Sequence, residues 1–279
     1  MEKLKKLTGF QLKYIALVLM LLDHIHYFFD YTGKIPLWFS QLGRLSAPLF
    51  LFAIIEGFIH THDRKKYFLK IYGLAIAMGA IQFGFSNVLH PLVRGDGFFP
   101  QNMMLSSFAI LLVALQGIAW IEEKKYLRGI PTLLFPILLP FLFMPFYRIF
   151  MGSGNQLGMF VINLFNFTIL PLHFSIMDGG TETLIVGIAM YLCRKTLKRE
   201  VLAFVIVSLI VNLGRGFLVG APLTLHTFLF LYFEWMEIFA APLMLMYNGQ
   251  RGKGSKHLFY IFYPLHIYLL YGLSVLLYG

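Results

Sequence analysis

The run GFQLKYIALVLMLLDHIHYFF, spanning Gly9–Phe29, decides the fold. At about 1.5 Å per residue it is long enough to cross a hydrocarbon core of about 30 Å as one helix. Lys3, Lys5 and Lys6 precede it and no small-residue cleavage site follows, so it reads as a retained first helix and not as a signal peptide. A soluble protein can bury one such helix in its core; the remaining composition decides against that. The chain is 58% hydrophobic and only 13% charged, with a mean hydropathy of +0.73. A soluble domain is about a quarter charged, and a chain with so much less cannot cover a water-facing surface. The 30 Phe and 15 Tyr residues suit lipid contact and interfacial anchoring. The fold class is therefore all-α, a polytopic integral membrane helical bundle.

Outward from Gly9–Phe29, apolar runs predict spans at about 35–59, 67–88, 104–121 and 130–146. The segment 158–177 holds Asn163, Asn166, Pro171 and His173, which suit a re-entrant or surface piece shielded by protein. Further spans follow at about 181–193, 201–213, 223–246 and 257–277, about nine in all. Leaving 158–177 out of the count keeps the basic turns at Arg64–Lys66, Lys124–Arg128, Arg194–Arg199 and Arg251–Lys256 on the cytoplasmic side, with the N-terminus. If that segment crossed, the last two turns would fall outside. The formal net charge of +10 therefore reads as membrane orientation, and a nucleic-acid partner is rejected. The lone cysteine, Cys193, excludes an internal disulfide and a Cys-based metal cluster.

Ionisable groups at membrane depth are costly, which makes each a candidate functional residue. His24 lies about 22 Å along the first helix, in the outer third of the hydrocarbon core. Arg44 lies about 13 Å inward from the outer end of the second span, at a similar depth. Asp23, His24 and Arg44 can thus form a compact cluster. An imidazole beside a carboxylate can be held in one tautomer and accept a proton near neutral pH. An arginine can steady negative charge developing on a tetrahedral oxygen. The competing reading is a buried ion pair that only fixes helix packing. Adjacent helical positions point about 100° apart, so Asp23 need not touch His24, and His26 stands as the alternative imidazole.

Other polar groups interrupt the apolar runs. Glu56 and His60 share a face near the cytoplasmic end of the second span, and Gln82 and Ser86 share one in the third. Glu234 and Glu237 share a face in the eighth, and His266 lies in the last. Paired carboxylates can relay protons, hold metal or bond neighbouring helices; no zinc-type spacing is present, and no metal is expected. The basic turns Arg64-Lys65-Lys66 and Arg251–Lys256 can grip the phosphates of a nucleotide-bearing cofactor or contact anionic lipid. Neither a Walker A nor a Rossmann fingerprint occurs.

Two stretches resemble a known family. Gly9–Ala16, continuing through Met20–His24, is similar to the first-helix signature of the TraX family, and Tyr247–Gly252 with Lys256–His266 is similar to its end. Gly43–Pro48 and Tyr191–Lys195 fit between them. The resemblance spans most of the chain, with its specific motifs at the two ends. It implies a single membrane-embedded acyltransferase-like domain over residues 1–279, in the bacterial cytoplasmic membrane, with members that acetylate the N-terminus of pilin. The family looks related to the acyltransferase-3 and heparan-glucosaminide N-acetyltransferase proteins. Those carry an acetyl group from cytoplasmic acetyl-CoA to an acceptor, using an intramembrane histidine.

By position, His24 matches that histidine and Arg44 a second-helix arginine, while Asp23 falls inside the same signature. His266 lies in the terminal motif without an assigned role. The resemblance implies acetyl-CoA as donor and an acceptor peptide or glycan as partner. The CoA phosphates are expected on Arg64, Lys65 and Lys66 or on Arg251. His24 is expected to act as general base or to carry the acetyl group, with Arg44 at the oxyanion and Asp23 orienting the imidazole. Two other classes remain open. One is a proton-coupled transporter using Asp23, Arg44, Glu234 and Glu237; the other is a non-catalytic membrane partner protein.

Overall fold

A computed structural model of the protein describes residues 6–89, 92–218, 220, 222, 224–254 and 256–278. Lys3, Lys5, Leu223 and Ser255 of the expected flanks, and the side chain of Lys256, lie outside the described residues. The helices are α1 (Gly9–Phe29), α2 (Trp38–Gly43), α3 (Ser46–His60), α4 (Arg64–Asn87), α5 (Met104–Glu122), α6 (Tyr126–Gly152), α7 (Gln156–Phe167), α8 (Gly180–Leu192), α9 (Leu197–Leu218), α10 (Ala241–Leu245) and α11 (Lys256–Tyr278). Among the described residues one β-bridge, Leu7 with Tyr247, is present outside these helices.

Seven helices among the described residues are long and apolar enough to cross a membrane: Gly9–Thr32, Trp38–His60, Arg64–Asn87, Met104–Glu122, Tyr126–Gly152, Leu197–Leu218 and Leu258–Tyr278. This corrects the expected nine. The expected span at 181–193 is α8, 13 residues long, and it cannot begin upstream because Gly179 turns the chain at φ 94°. The expected span at 223–246 is not one helix. It contains a π turn at Thr227–Leu231, a 3-10 stretch at Phe233–Ala240 and the short α10. Trp235 Nε1 donates to the Phe228 carbonyl at 2.9 Å, and Tyr232 N–H reaches back to Thr227 O at 2.8 Å, so local bonds displace the α-helical ladder. Hydropathy registers the apolar residues but not this diversion.

The segment 158–177 breaks in the middle. Helix α7 is 12 residues long, about 18 Å, too short for the hydrocarbon core. Beyond it the backbone is held by protein groups: the Asn166 side-chain oxygen accepts from Leu172 N–H at 3.1 Å and from Ser175 Oγ at 3.0 Å. Asn163 accepts from the Tyr147 hydroxyl at 3.1 Å. Polar residues here serve the chain's own irregular backbone, as membrane depth demands.

The chain divides into two compact units. The first joins Met1–Ile59 to Ile185–Leu277. Its α1 packs along α2, and its two ends are identifiable from side-chain contacts. At one end Phe58 meets Tyr191 with ring centroids 5.7 Å apart, Phe52 meets Tyr247 at 5.4 Å, and Leu7 bridges to Tyr247. At the other end Gln41 donates to Leu229 O at 2.8 Å and Asn212 to Glu237 Oε1 at 2.9 Å. Helix α9 therefore leads away from the Tyr191–Tyr247 end, and the irregular stretch from Thr227 brings the chain back to it. The basic turns after α8 and α10 thus share an end with Leu7.

The second unit comprises His60–Leu184 with Tyr278–Gly279. Its centre is α5, where Leu111, Ala114 and Leu115 are fully buried. Ser107 of α5 accepts from Gly180 N–H at 2.9 Å and so satisfies the start of α8. Helix α6 contains four prolines, Pro131, Pro136, Pro140 and Pro145, and exposes Phe141, Leu142 and Ile149, an outer face suited to lipid. In the connection before α5, Arg94 grips Asp96 with bonds of 3.0 and 2.7 Å beneath the rings of Phe98 and Tyr278. The Arg94 hydrogen bond holds the Asp96 carboxyl below its usual range. That stabilisation is present above the ordinary carboxylate value and is lost as pH falls through the lowered one.

Helices α5 and α6 approach most closely through two glycines. A Cβ at Gly117 would lie 2.5 Å from Leu133 N, and one at Gly129 would lie 2.8 Å from Gly117 O. Small residues of this kind let membrane helices close on each other's backbone. Gly117→Ala and Gly129→Ala are each expected to destabilise the protein by about 1–3 kcal/mol in a detergent-unfolding titration. Gly152→Ala, with nothing within 4 Å, should stay within about 1 kcal/mol of wild type, as expected for a helical glycine.

Candidate functional site

Helix α1 turns Asp23 and His24 in different directions, and each finds its own partner in the first unit. Asp23 Oδ1 accepts from Arg44 Nη2 at 2.6 Å and from Ser40 Oγ at 2.7 Å. Arg44 stands at the end of α2, where its Nε also donates to Ser40 O at 3.3 Å and its guanidinium lies 5.8 Å from the Phe233 ring centroid. The two helices touch here because residue 43 is glycine: a Cβ on Gly43 would collide with the Asp23 Cβ and lie 2.8 Å from Oδ1. The carboxylate expected to orient His24 is thus engaged by Arg44 and Ser40.

His24 pairs with His266 of α11. Its Nδ1 lies 2.6 Å from His266 Nε2, and both residues are buried, at 6% and 4% exposure. His266 is held in turn by Phe262, one helical turn earlier. Its Nδ1 lies 2.7 Å from the Phe262 carbonyl, and its ring stacks on the Phe262 ring with centroids 4.8 Å apart. Tyr27 and Phe28 flank His24 with ring centroids near 6 Å, at 6.2 and 6.1 Å. His26, the alternative imidazole, instead lies 3.4 Å from Asp30, whose side chain is 68% exposed.

The hydrogen bonds fix the tautomers of the neutral pair. A carbonyl oxygen only accepts, so His266 carries its proton on Nδ1 and presents the Nε2 lone pair. His24 must then donate from Nδ1, which places its own lone pair on Nε2. That nitrogen can take a proton, and the resulting imidazolium strengthens its Nδ1–H bond to His266 by making it charge-assisted. The dyad joins residues 242 positions apart, a pairing no local spacing announces. The sequence signal for His266 was its place as an ionisable group in the last apolar run and in the terminal motif.

The remaining candidates divide between the units. Glu56 accepts from the Tyr247 phenol, whose pKa is pushed up to about 12 by burial and by that carboxylate. Glu200, 2% exposed, faces Glu56 and Arg194, and its Oε1 is buried without a hydrogen-bond partner among the described residues. Sequence reasoning passed over Glu200 because it follows a charged turn. Glu237 bonds Asn212, and Glu234 lies three residues before it in the 3-10 stretch. Arg251 takes part through its carbonyl, which accepts from Phe10 N–H at 2.9 Å. Arg64, Lys65 and Lys66 form the first turn of α4 in the second unit, capped by Asp63. Gln82 belongs to the same unit, with a buried side-chain oxygen that has no hydrogen-bond partner among the described residues. Among the described residues no group of three or more His, Cys, Asp or Glu side chains is placed to hold a metal ion.

Ring-nitrogen NMR of histidine-labelled protein at neutral pH is expected to show His24 and His266 both protonated at Nδ1 and bare at Nε2. An Nε2-protonated His266 would contradict the bond to Phe262. Assignment follows from loss of each signal pair in His24→Gln and His266→Gln.

Comparison with known proteins places this arrangement. The chain matches the TraX protein family over residues 8–274. It is 25% identical over 277 residues to the probable fimbrial assembly protein FimC, serogroup H1, of Dichelobacter nodosus, with 94% of each chain covered. No solved structure matches it. Since the family match runs from the cap of α1 well into α11 and takes in both histidines of the dyad, this polytopic membrane protein belongs to the TraX family.

Proposed function

We propose that the protein is a membrane-bound acetyltransferase that moves an acetyl group from acetyl-CoA to an acceptor amine or hydroxyl. The observation that supports this best is the buried His24–His266 pair, an imidazole held in one tautomer at membrane depth. A hydrogen bond serving helix packing alone does not require two titratable rings in series, whereas a base does benefit from a second ring that fixes its tautomer. Family membership supports acyl transfer, and the fimbrial-assembly name of the relative supports a peptide acceptor.

In this reading His24 Nε2 takes the proton from the acceptor nitrogen or oxygen as it attacks the thioester carbonyl. The tetrahedral intermediate collapses, the C–S bond breaks, and the CoA thiolate receives that proton from His24. His266 holds the imidazolium through its Nε2 acceptor. Arg44, anchored by Asp23 and Ser40, supplies the positive field for the oxyanion. The donor phosphates are assigned to the basic residues Arg64, Lys65 and Lys66 or to Arg251. The end of the first unit that carries Leu7 and the turns after α8 and α10 is assigned to the cytoplasm, where basic turns accumulate.

Calorimetry with acetyl-CoA on detergent-purified protein tests the donor, and acetyl transfer to peptides with free N-termini or to amino sugars tests the acceptor. Wild type is expected to bind acetyl-CoA, and His24→Ala to retain that binding while turnover falls by about 10²–10⁴-fold. His266→Ala is expected to lower kcat by about tenfold or more, with donor KM little changed. Absence of acetyl-CoA binding by folded wild type would overturn the proposal.

A further inference from the structure

Apart from the Arg251 side chain, the motif Tyr247–Gly252 has no part in the chemistry above, yet its main chain is committed to the base of α1. Leu7 N–H donates to Met246 O at 3.0 Å, and Asn248 N–H to Leu7 O at 2.9 Å. Gly9 N–H donates to Gln250 O at 2.8 Å, and Phe10 N–H to Arg251 O at 2.9 Å. The same four residues, Leu7–Phe10, include Thr8, which caps α1 in a reciprocal box with Gln11: Thr8 N–H donates to Gln11 Oε1 at 2.9 Å and Gln11 N–H to Thr8 Oγ1 at 3.3 Å. Gly252 closes this clasp with φ at 78°, and a Cβ there would lie 2.5 Å from Thr8 Oγ1 and 2.7 Å from Thr8 Cβ. Neither the conformation nor the space admits a side chain.

The clasp stands where α1 starts and just ahead of the start of α11, the two helices that carry the dyad. From it they run in the same direction, touching in ascending order. The rings of Phe10 and Phe259 are 5.5 Å apart, His24 meets His266, the rings of Phe28 and Tyr271 are 6.2 Å apart, and Tyr31 donates to Ser274 O at 3.2 Å. Ring contacts of this kind are broad and tolerate sliding, whereas a hydrogen bond of 2.6 Å does not survive a slide of about 1 Å. The intervening chain is long, and long closures fix proximity but not register. A ladder of four backbone bonds does fix it.

We propose that this clasp sets the separation of His24 and His266, with Gly252 and Thr8 as its positioning residues. The inference concerns the same dyad as the acetyltransferase reading, and its kinetic arm rests on that reading. A misplacement of about 1 Å can cost a hundredfold in rate, so the geometry at the base of α1 governs chemistry far along it.

The test uses Gly252→Val, with Gly249→Ala as control. Gly249 has the same φ of 78° but nothing within 4 Å among the described residues, so its variant carries the backbone strain without the collision with Thr8. The first readout is the rate at which a short bifunctional thiol reagent joins His24→Cys to His266→Cys in a Cys193→Ser background. Gly252→Val is expected to slow that rate by about tenfold and Gly249→Ala to leave it within about twofold, as the loss of a near-attack geometry requires. The second readout is acetyl transfer, where Gly252→Val is expected to lower kcat by about a hundredfold with donor KM unchanged. An unchanged cross-linking rate in folded Gly252→Val overturns the proposal. A rise confined to donor KM also overturns it, by making the loop part of the donor site. If cross-linking slows while wild type transfers no acetyl group, the clasp stands and the acetyltransferase reading falls. If Gly252→Val does not fold, Thr8→Ala removes the cap without adding bulk and is expected to slow cross-linking, with Thr8→Ser restoring it; equal rates in all three overturn the proposal.

Discussion

A polar atom at membrane depth has no water to turn to, and much of this structure follows from that one constraint. Asp23 cannot sit in the apolar run of α1 alone, so α2 brings it both a guanidinium and a hydroxyl, and residue 43 is glycine to let them come close. His24 cannot leave Nδ1 without an acceptor, so α11 supplies an imidazole. Where the backbone leaves the α-helical pattern, side chains answer it: Asn166 beyond α7, and Trp235 between α9 and α10. The functional candidates and the packing devices are therefore the same kind of object, polar groups satisfied from within.

The constraint separates two kinds of polar pairing. The Asp23–Arg44 pair carries compensating charges and holds two adjacent elements, and removing either partner would strand the other charge. The His24–His266 pair compensates nothing in its neutral form; it directs a lone pair. That difference is why the dyad, and not the ion pair, carries the functional reading. The knot of Glu56, Tyr247 and Glu200 at the opposite end of the first unit is a third type, in which two carboxyl groups lie close together beside a buried phenol.

Much of the fold was legible in the residues because a crossing needs only a sufficiently long apolar run. The runs expected at about 9–29, 67–88, 104–121 and 201–213 lie within helices long and apolar enough to cross, apart from a residue or so at the end of 67–88. The stretch after Thr224 did not, because hydropathy sums side chains and is blind to a tryptophan that bonds to the backbone seven residues earlier. That Asp23 and Arg44 can meet was also legible from the rise of a helix, but the parts of Ser40 and His266 were not. Ser40 is an unremarkable polar residue in sequence, and His266 lies in a motif with no assigned role. What joins them is tertiary packing, which one sequence does not display.

The placement of the dyad on α1 and α11 has a consequence for how the protein is made. His24 is made first, and its partner follows 242 residues later in the chain. At about 5–20 residues per second a ribosome needs roughly 12–50 s to bridge that gap. During that interval the nascent chain holds a solitary imidazole in a half-built bundle, with Leu7–Phe10 still awaiting the segment they will clasp. In the acetyltransferase reading the base therefore waits for α11 to be made, and a product truncated before α11 inserts without a complete dyad.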